Sequence, residues 1–203
     1  MKKLMMIAAM MVAALSVNAQ EVEVGQVYLK PMVGATLSRF TGDVDDIKMK
    51  FGVLGGAELG YKIAEPFDIT AGLLVMMQGT KVKDTQFTKD FSSTLTYLNV
   101  PILANFYVAR GLAIKAGVQP GFLLSSKTKA KESYGGDQWE TIDSSSKDGL
   151  KKFDLAIPVG LSYEFSNFII DARYNFGLLK VEKDGGSVKN GVIMLTVGYK
   201  IPF

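Results

Sequence analysis

The sequence predicts an all-β chain closed into an eight-stranded antiparallel up-and-down transmembrane β-barrel, and three observations predict it. Apolar and polar residues alternate with a period of two in eight separate segments, the signature of strands with one apolar face. The connections between those segments alternate long and short, and charged residues keep to one of the two strand faces.

Composition is compatible with this and excludes several chemistries. The chain has 203 residues, 48% hydrophobic and 21% charged, within the ordinary range. It has no Cys and no His, so disulfides, thiolate nucleophiles, zinc-thiolate sites and the commonest general base are all missing. The formal charge of +3 includes Lys2 and Lys3 of a leader and falls to +1 without them, leaving no basic excess to recruit nucleic acid.

Residues 1–19 read as a cleaved signal peptide: Lys2 and Lys3, an apolar run from Leu4 to Val17, then Val17-Asn18-Ala19 with small residues at the cleavage positions. That run of 14 residues is shorter than the roughly 20 needed to cross a bilayer as a helix. The mature domain is then 20–203.

The alternation begins at about 26–39. In 51–63 Phe51, Val53, Ala57, Leu59, Tyr61 and Ile63 share one face, with Glu58 and Lys62 on the other. The segment from Phe67 to Gln78 repeats the pattern, and others follow at about 94–108, 112–126, 151–165, 167–180 and 191–203. Segments of 12 to 15 residues exceed the five or six usual in soluble sheets and suit tilted membrane strands. Tight joins at Ala64-Glu65-Pro66, Ala109-Arg110-Gly111 and Ser166-Asn167 alternate with polar loops at about 40–49, 80–93, 127–150 and 181–190. Short periplasmic turns and long outer loops are the arrangement of barrels in the outer membrane of a Gram-negative bacterium.

The charges decide which face meets lipid. The faces carrying Val27, Leu29, Val33 and Leu37, or Leu112, Ile114, Val118 and Phe122, hold no charge between the strand ends. The opposite faces hold Lys30, Lys62, Lys115, Arg173 and Lys200 against Glu58, Asp68, Asp154, Glu164 and Asp171, five of each sign. A Lys or Arg facing lipid at mid-depth costs about 2–4 kcal/mol, so these ten charges are expected in the lumen. Outward aromatics form two girdles, Tyr61, Phe67, Phe106, Tyr163, Phe165, Phe168, Tyr199 and Phe203 near the periplasmic ends and Phe51, Phe122, Phe153 and Phe176 near the outer ends. Pro31, Pro101, Pro120, Pro158 and Pro202 fall inside strands, where bulges are expected to accommodate them.

Tyr97-Leu98-Asn99-Val100-Pro101-Ile102-Leu103 and Gly117-Val118-Gln119-Pro120-Gly121-Phe122 resemble the strand motifs of the PorT-like outer-membrane β-barrel domain family. The ending Gly198-Tyr199-Lys200-Ile201-Pro202-Phe203 resembles the terminal-aromatic signal read by barrel-assembly machinery. The resemblance implies a barrel type, with a secretion or transport accessory role by analogy; it departs from the family pattern at Asn99, where an acidic residue is more usual.

An eight-stranded barrel has room inside only for side chains or one small ligand. The ten lumen charges therefore read as an electrostatic plug or as a proton or ion relay. Leu54, Leu74, Met76, Leu103, Leu123, Leu179 and Met194 face the outer half of the lumen, as packing or as a pocket for a small hydrophobic ligand. In the longest loop Tyr134 and Trp139 form either a solvated tip or a contact for a protein or glycan. Asp43, Asp45 and Asp46 lack a complete Ca²⁺ ligand pattern. No cofactor, metal site or enzyme activity is expected; the partners expected are outer-membrane lipid, the assembly machinery and a loop ligand, around a monomeric barrel.

Overall fold

A computed structural model describes residues 22–41, 47–82, 88–133, 139–145, 150–181 and 188–203. The leader, Asp43, Asp45, Asp46 and Tyr134 lie outside the described residues. The strands are β1 (Val27–Thr41), β2 (Ile47–Ala64), β3 (Phe67–Val82), β4 (Thr88–Asn99), β5 (Ile102–Ala109), β6 (Leu112–Ser133), β7 (Trp139–Ser144), β8 (Phe153–Phe165), β9 (Phe168–Lys180), β10 (Lys189–Tyr199) and β11 (Ile201–Pro202).

These strands make eight staves. β4 and β5 are one stave interrupted at Val100-Pro101, because both pair with β3 and β6. β7 and β8 both pair with β6, and β10 and β11 both pair with β1. All pairings are antiparallel, and the β1–β10 ladder from Met32↔Gly198 to Thr41↔Lys189 closes the ring. Closure removes the sheet edge that a membrane could not satisfy.

The expected faces are observed. Leu73 is 59% exposed and Leu74 0%; Leu195 is 54% exposed and Met194 0%. Leu59, Ile114, Val118, Ile170 and Val197 are exposed to the outside, while Lys30, Glu58, Asp68, Lys115, Asp171 and Arg173 are buried within. Every described aromatic of the two girdles points outward, and Phe122 with Phe153 and Phe168 with Tyr199 stack edge to face at 5.5 and 5.1 Å.

Two expectations are corrected. The region 127–150 is not all loop: β6 runs to Ser133 and pairs with β7 from Thr128↔Ser144 to Ser133↔Trp139, so the hairpin continues beyond the membrane. Trp139 is the first residue of β7. The prolines do not introduce bulges. Leu29↔Ile201 and Met32↔Gly198 flank Pro31 in one register, and Leu74↔Asn99 and Ala71↔Ile102 do so around Pro101. Proline deletes one donor in an antiparallel ladder, and the intact pairs on each side hold the register. The register slips lie elsewhere, as between Met49 and Leu54 opposite β3 and between Thr96 and Tyr97 opposite β6.

Short turns close the periplasmic end. Gly111 sits at φ 77 and Ser166 at φ 55, the left-handed region in which a turn reverses tightly. The Asn167 side-chain Nδ2 donates to the Lys200 backbone carbonyl at 2.9 Å, and the Lys200 backbone N–H donates to the Asn167 backbone carbonyl at 2.7 Å. That turn is thereby tied to the last stave.

Candidate functional site

The lumen is the candidate site, and glycines set its shape. Tyr28 stands opposite Gly60, with its ring lying where a Cβ would be. A Cβ on Gly72 would come within 2.6 Å of Glu58 Cγ, and one on Gly160 within 2.8 Å of Arg173 Cγ. Large inward side chains thus cross the barrel over glycines of neighbouring staves, the small-against-large packing that a narrow interior requires.

At mid-depth five charges meet. Glu58 Oε2 is 2.5 Å from Lys30 Nζ, and its Oε1 accepts from Arg173 Nη1 at 2.7 Å. Asp171 is held in a fork by Arg173 Nε and Nη2 at 2.6 and 2.7 Å. Lys115 donates to Asp171 Oδ2 at 2.6 Å, and Lys30 stands 3.9 Å from the same oxygen. All five are buried. The cluster bridges β1, β2, β6 and β9, so it ties opposite walls together. Three cations and two carboxylates leave it one positive charge in excess.

The other five charges do not join this cluster. Asp68 is held by neutral donors: the Tyr28 hydroxyl at 2.9 Å, the Tyr107 hydroxyl at 3.0 Å, and the Asn105 amide. Glu164 pairs with Lys200 at 2.5 Å. Lys62 lies over the Tyr107 ring, 4.1 Å from its centroid, and Lys200 lies 4.7 Å from that of Tyr28, both cation–π contacts. Asp154, near the outer end, accepts from Asn190 at 2.7 Å and from the Leu155 amide at 2.8 Å. The expected single network of ten is therefore a core of five with satellites, because side-chain reach limits which inward charges meet. Sequence reading missed Tyr28, Tyr107 and Asn105. Their signal was parity, since Tyr28 shares the inward face with Lys30, and Tyr107 and Asn105 share one face of β5.

Beyond the core, Asn175 donates to Met194 Sδ at 3.6 Å. Met194 packs with Met32, Leu54, Leu74, Met76 and Val192 in one apolar cluster, and Leu123 packs with Leu95, Tyr97 and Val181 in another. Leu103 is buried as well, and Leu179 half-buried. These side chains fill the outer lumen, so the geometry supports packing rather than a ligand pocket. Below the core the periplasmic mouth opens as a polar cup of about 890 Å³, with Lys62, Tyr107, Glu164 and Lys200 in its lining.

Residues 18–182 match the family model described as the outer membrane protein beta-barrel domain. The chain belongs to this family. It is accordingly a protein of the Gram-negative outer membrane. Ail, the attachment invasion locus protein of Yersinia pestis, matches with a TM-score of 0.50 at 19% identity, over 88% of this chain and 100% of that one. Its complex with the heparin analogue sucrose octasulfate matches with a TM-score of 0.50 at 21% identity and the same coverage. Neisserial surface protein A follows with a TM-score of 0.46 at 16% identity, over 87% of this chain and 97% of that one. At these identities the likeness to Ail is one of fold. No curated protein matches the chain.

Proposed function

We propose that this barrel is a closed, non-catalytic membrane anchor that acts through what its outer loops present, and that the lumen charges serve as its plug. The observation that carries the reading is the buried Lys30–Glu58–Lys115–Asp171–Arg173 core spanning the lumen. The apolar clusters outside it supply a second closure. A relay would need an unbroken run of titratable groups along the lumen, and in the outer half Leu and Met clusters pack among the polar side chains, which include Asp154 and Asn190. Leader removal after Ala19, recognition of the strand ending at Phe203 by the assembly machinery, and a monomeric state complete the proposal.

Tyr134 and Trp139 are the proposed contact, with a protein or glycan as partner. A PorT-like accessory role in secretion or transport would use the same loops. Conductance of the purified barrel in a planar bilayer tests the plug: no steady current is expected, and a stable open level would overturn it. A photoreactive residue at position 139 in intact cells tests the contact. A single defined adduct is expected, and crosslinks to lipid alone would remove the loop partner.

A further inference from the structure

The outer rim of the barrel carries an arrangement that neither plug nor loop contact explains. Lys48 stands directly opposite Lys81 in the β2–β3 ladder, and Lys180 directly opposite Lys189 in the β10–β9 ladder. Like charges at directly opposed positions of an antiparallel pair repel and destabilise it. All four lysines are exposed. The residues beside two of them, Thr80 and Asn190, are buried in the lumen, so Lys81 and Lys189 point to the outside of the barrel.

The register extends the pairs into a collar. Lys81 stands opposite Ser92 of β4, and Lys50 donates at 2.5 Å to both Ser92 Oγ and Thr94 Oγ1. Thr94 in turn stands opposite Lys127 of β6, which is exposed next to buried Ser126. On the other side Lys189 stands opposite Thr41 of β1, two residues beyond exposed Arg39. Cations therefore follow one another on β9, β10, β1, β2, β3 and β6. Among residues whose side chains are described, the acids lie at the periplasmic end or in the lumen. Register brings Asp143 of β7 opposite Lys129, so Lys129 is not counted in the collar.

The depth is as informative as the charge. Lys50 adjoins the girdle residue Phe51, and Lys180 lies four residues beyond Phe176. At about 3.3 Å per residue along a tilted strand, these cations lie from about 3 Å to on the order of 10 Å beyond the outer girdle, the level of the lipid headgroups. We propose that the collar binds the phosphate groups of phosphorylated outer-leaflet glycolipid, each opposed lysine pair sharing one phosphomonoester. A phosphomonoester carries close to two negative charges and three acceptor oxygens, enough to bridge two ammonium groups by charge-assisted hydrogen bonds. It converts the repulsion of each pair into a shared site.

The test uses the full barrel in nanodiscs of phosphatidylcholine alone, with bisphosphorylated lipid A, or with the same lipid A dephosphorylated. The variants are Lys48→Gln/Lys81→Gln, Lys180→Gln/Lys189→Gln, and the charge-keeping Lys48→Arg/Lys81→Arg. Bisphosphorylated lipid A is expected to raise the thermal midpoint of the natural chain, and the dephosphorylated lipid is not. Each Gln double variant removes one of the two pairs, loses about half of that rise and retains lipid A roughly tenfold less at the altered site in native mass spectrometry, whereas the Arg variant keeps both. In phosphatidylcholine alone the Gln variants melt at the same temperature as the natural chain or higher, because a repulsion has been removed. Equal stabilisation by dephosphorylated lipid A overturns the proposal, as does an equal loss in both bilayers. Inorganic phosphate reproducing the full rise in phosphatidylcholine would assign the site to free phosphate and overturn the lipid assignment. Should a Gln variant fail to fold, the lipid series on the natural chain still decides.

Discussion

The excess positive charge of the lumen core makes the cost of substitution there depend on sign. Asp171 has Arg173 and Lys115 at 2.6–2.7 Å and Lys30 at 3.9 Å. At an effective dielectric constant of about 20, each close contact is worth roughly 6 kcal/mol of Coulomb attraction and the longer one about 4. Asp171→Asn leaves three buried cations facing Glu58 alone, and a destabilisation of about 3–5 kcal/mol is expected, as for any uncompensated buried charge. Lys30→Met has the opposite consequence. Two cations then face two carboxylates, Glu58 keeps Arg173, and Asp171 keeps both Lys115 and Arg173. The lost attraction is offset by relief of repulsion among the cations and by one fewer ammonium to desolvate, so a loss of no more than about 1–2 kcal/mol is expected. Glu58→Gln falls between them, since Glu58 has two cationic partners. Urea unfolding of the refolded barrel in lipid vesicles, followed by fluorescence of Trp139, gives the three values. Lys30→Met costing as much as Asp171→Asn would refute the charge-excess argument, because the two would then simply be losing contacts.

The remaining predictions concern the walls. Gly160→Ala places a Cβ 2.3 Å from the Ala172 carbonyl oxygen and 2.8 Å from Arg173 Cγ and should cost about 1–3 kcal/mol by overpacking. Gly55→Ala meets nothing closer than Val33 Cγ1 at 3.8 Å and should change stability by less than about 0.5 kcal/mol. Equal costs in the same unfolding assay would show that small-against-large packing does not set the lumen. Leu73→Lys, on the lipid face, should cost about 2–4 kcal/mol, whereas Phe165→Lys at the rim should cost about 0–1; a smaller cost for Leu73→Lys would place that face away from hydrocarbon. Deleting Phe203 should reduce the heat-modifiable folded barrel in outer-membrane fractions while refolding in vitro proceeds, and equal yields in cells would remove the assembly signal.

The fold was legible because a barrel in lipid leaves a strong trace: each stave must show lipid an uncharged face, and period-two alternation records it. The trace fades where the strands leave the membrane. From Lys127 to Ser133 and from Trp139 to Ser144 the hairpin is mostly polar, with Ala130, Trp139 and Ile142 too few to make a period-two alternation, so the pattern does not separate strand from loop, although β6 and β7 pair throughout. The prolines misled for a related reason. Pattern shows where a donor is missing but not whether neighbouring pairs hold the register, and around Pro31 and Pro101 they do.

The pairing inside the lumen was less legible, since parity assigns a face but not a partner. Glu58 on β2 meets Arg173 on β9 although β1 and β10 stand between them in the ring. Such a contact exists only because eight staves enclose a space that two long side chains can span. One cue was available along the walls. Glu58 and Gly72 are each seven residues from Glu65 in the tight turn, and that turn fixes them as ladder partners. An inward glycine opposite a long inward side chain marks where that chain leans over its neighbour. Tyr28 with Gly60 and Arg173 with Gly160 obey the same pairing. In a barrel with short turns, then, glycines on the charged face locate the large lumen side chains, and the charge balance around each decides which substitution the core tolerates.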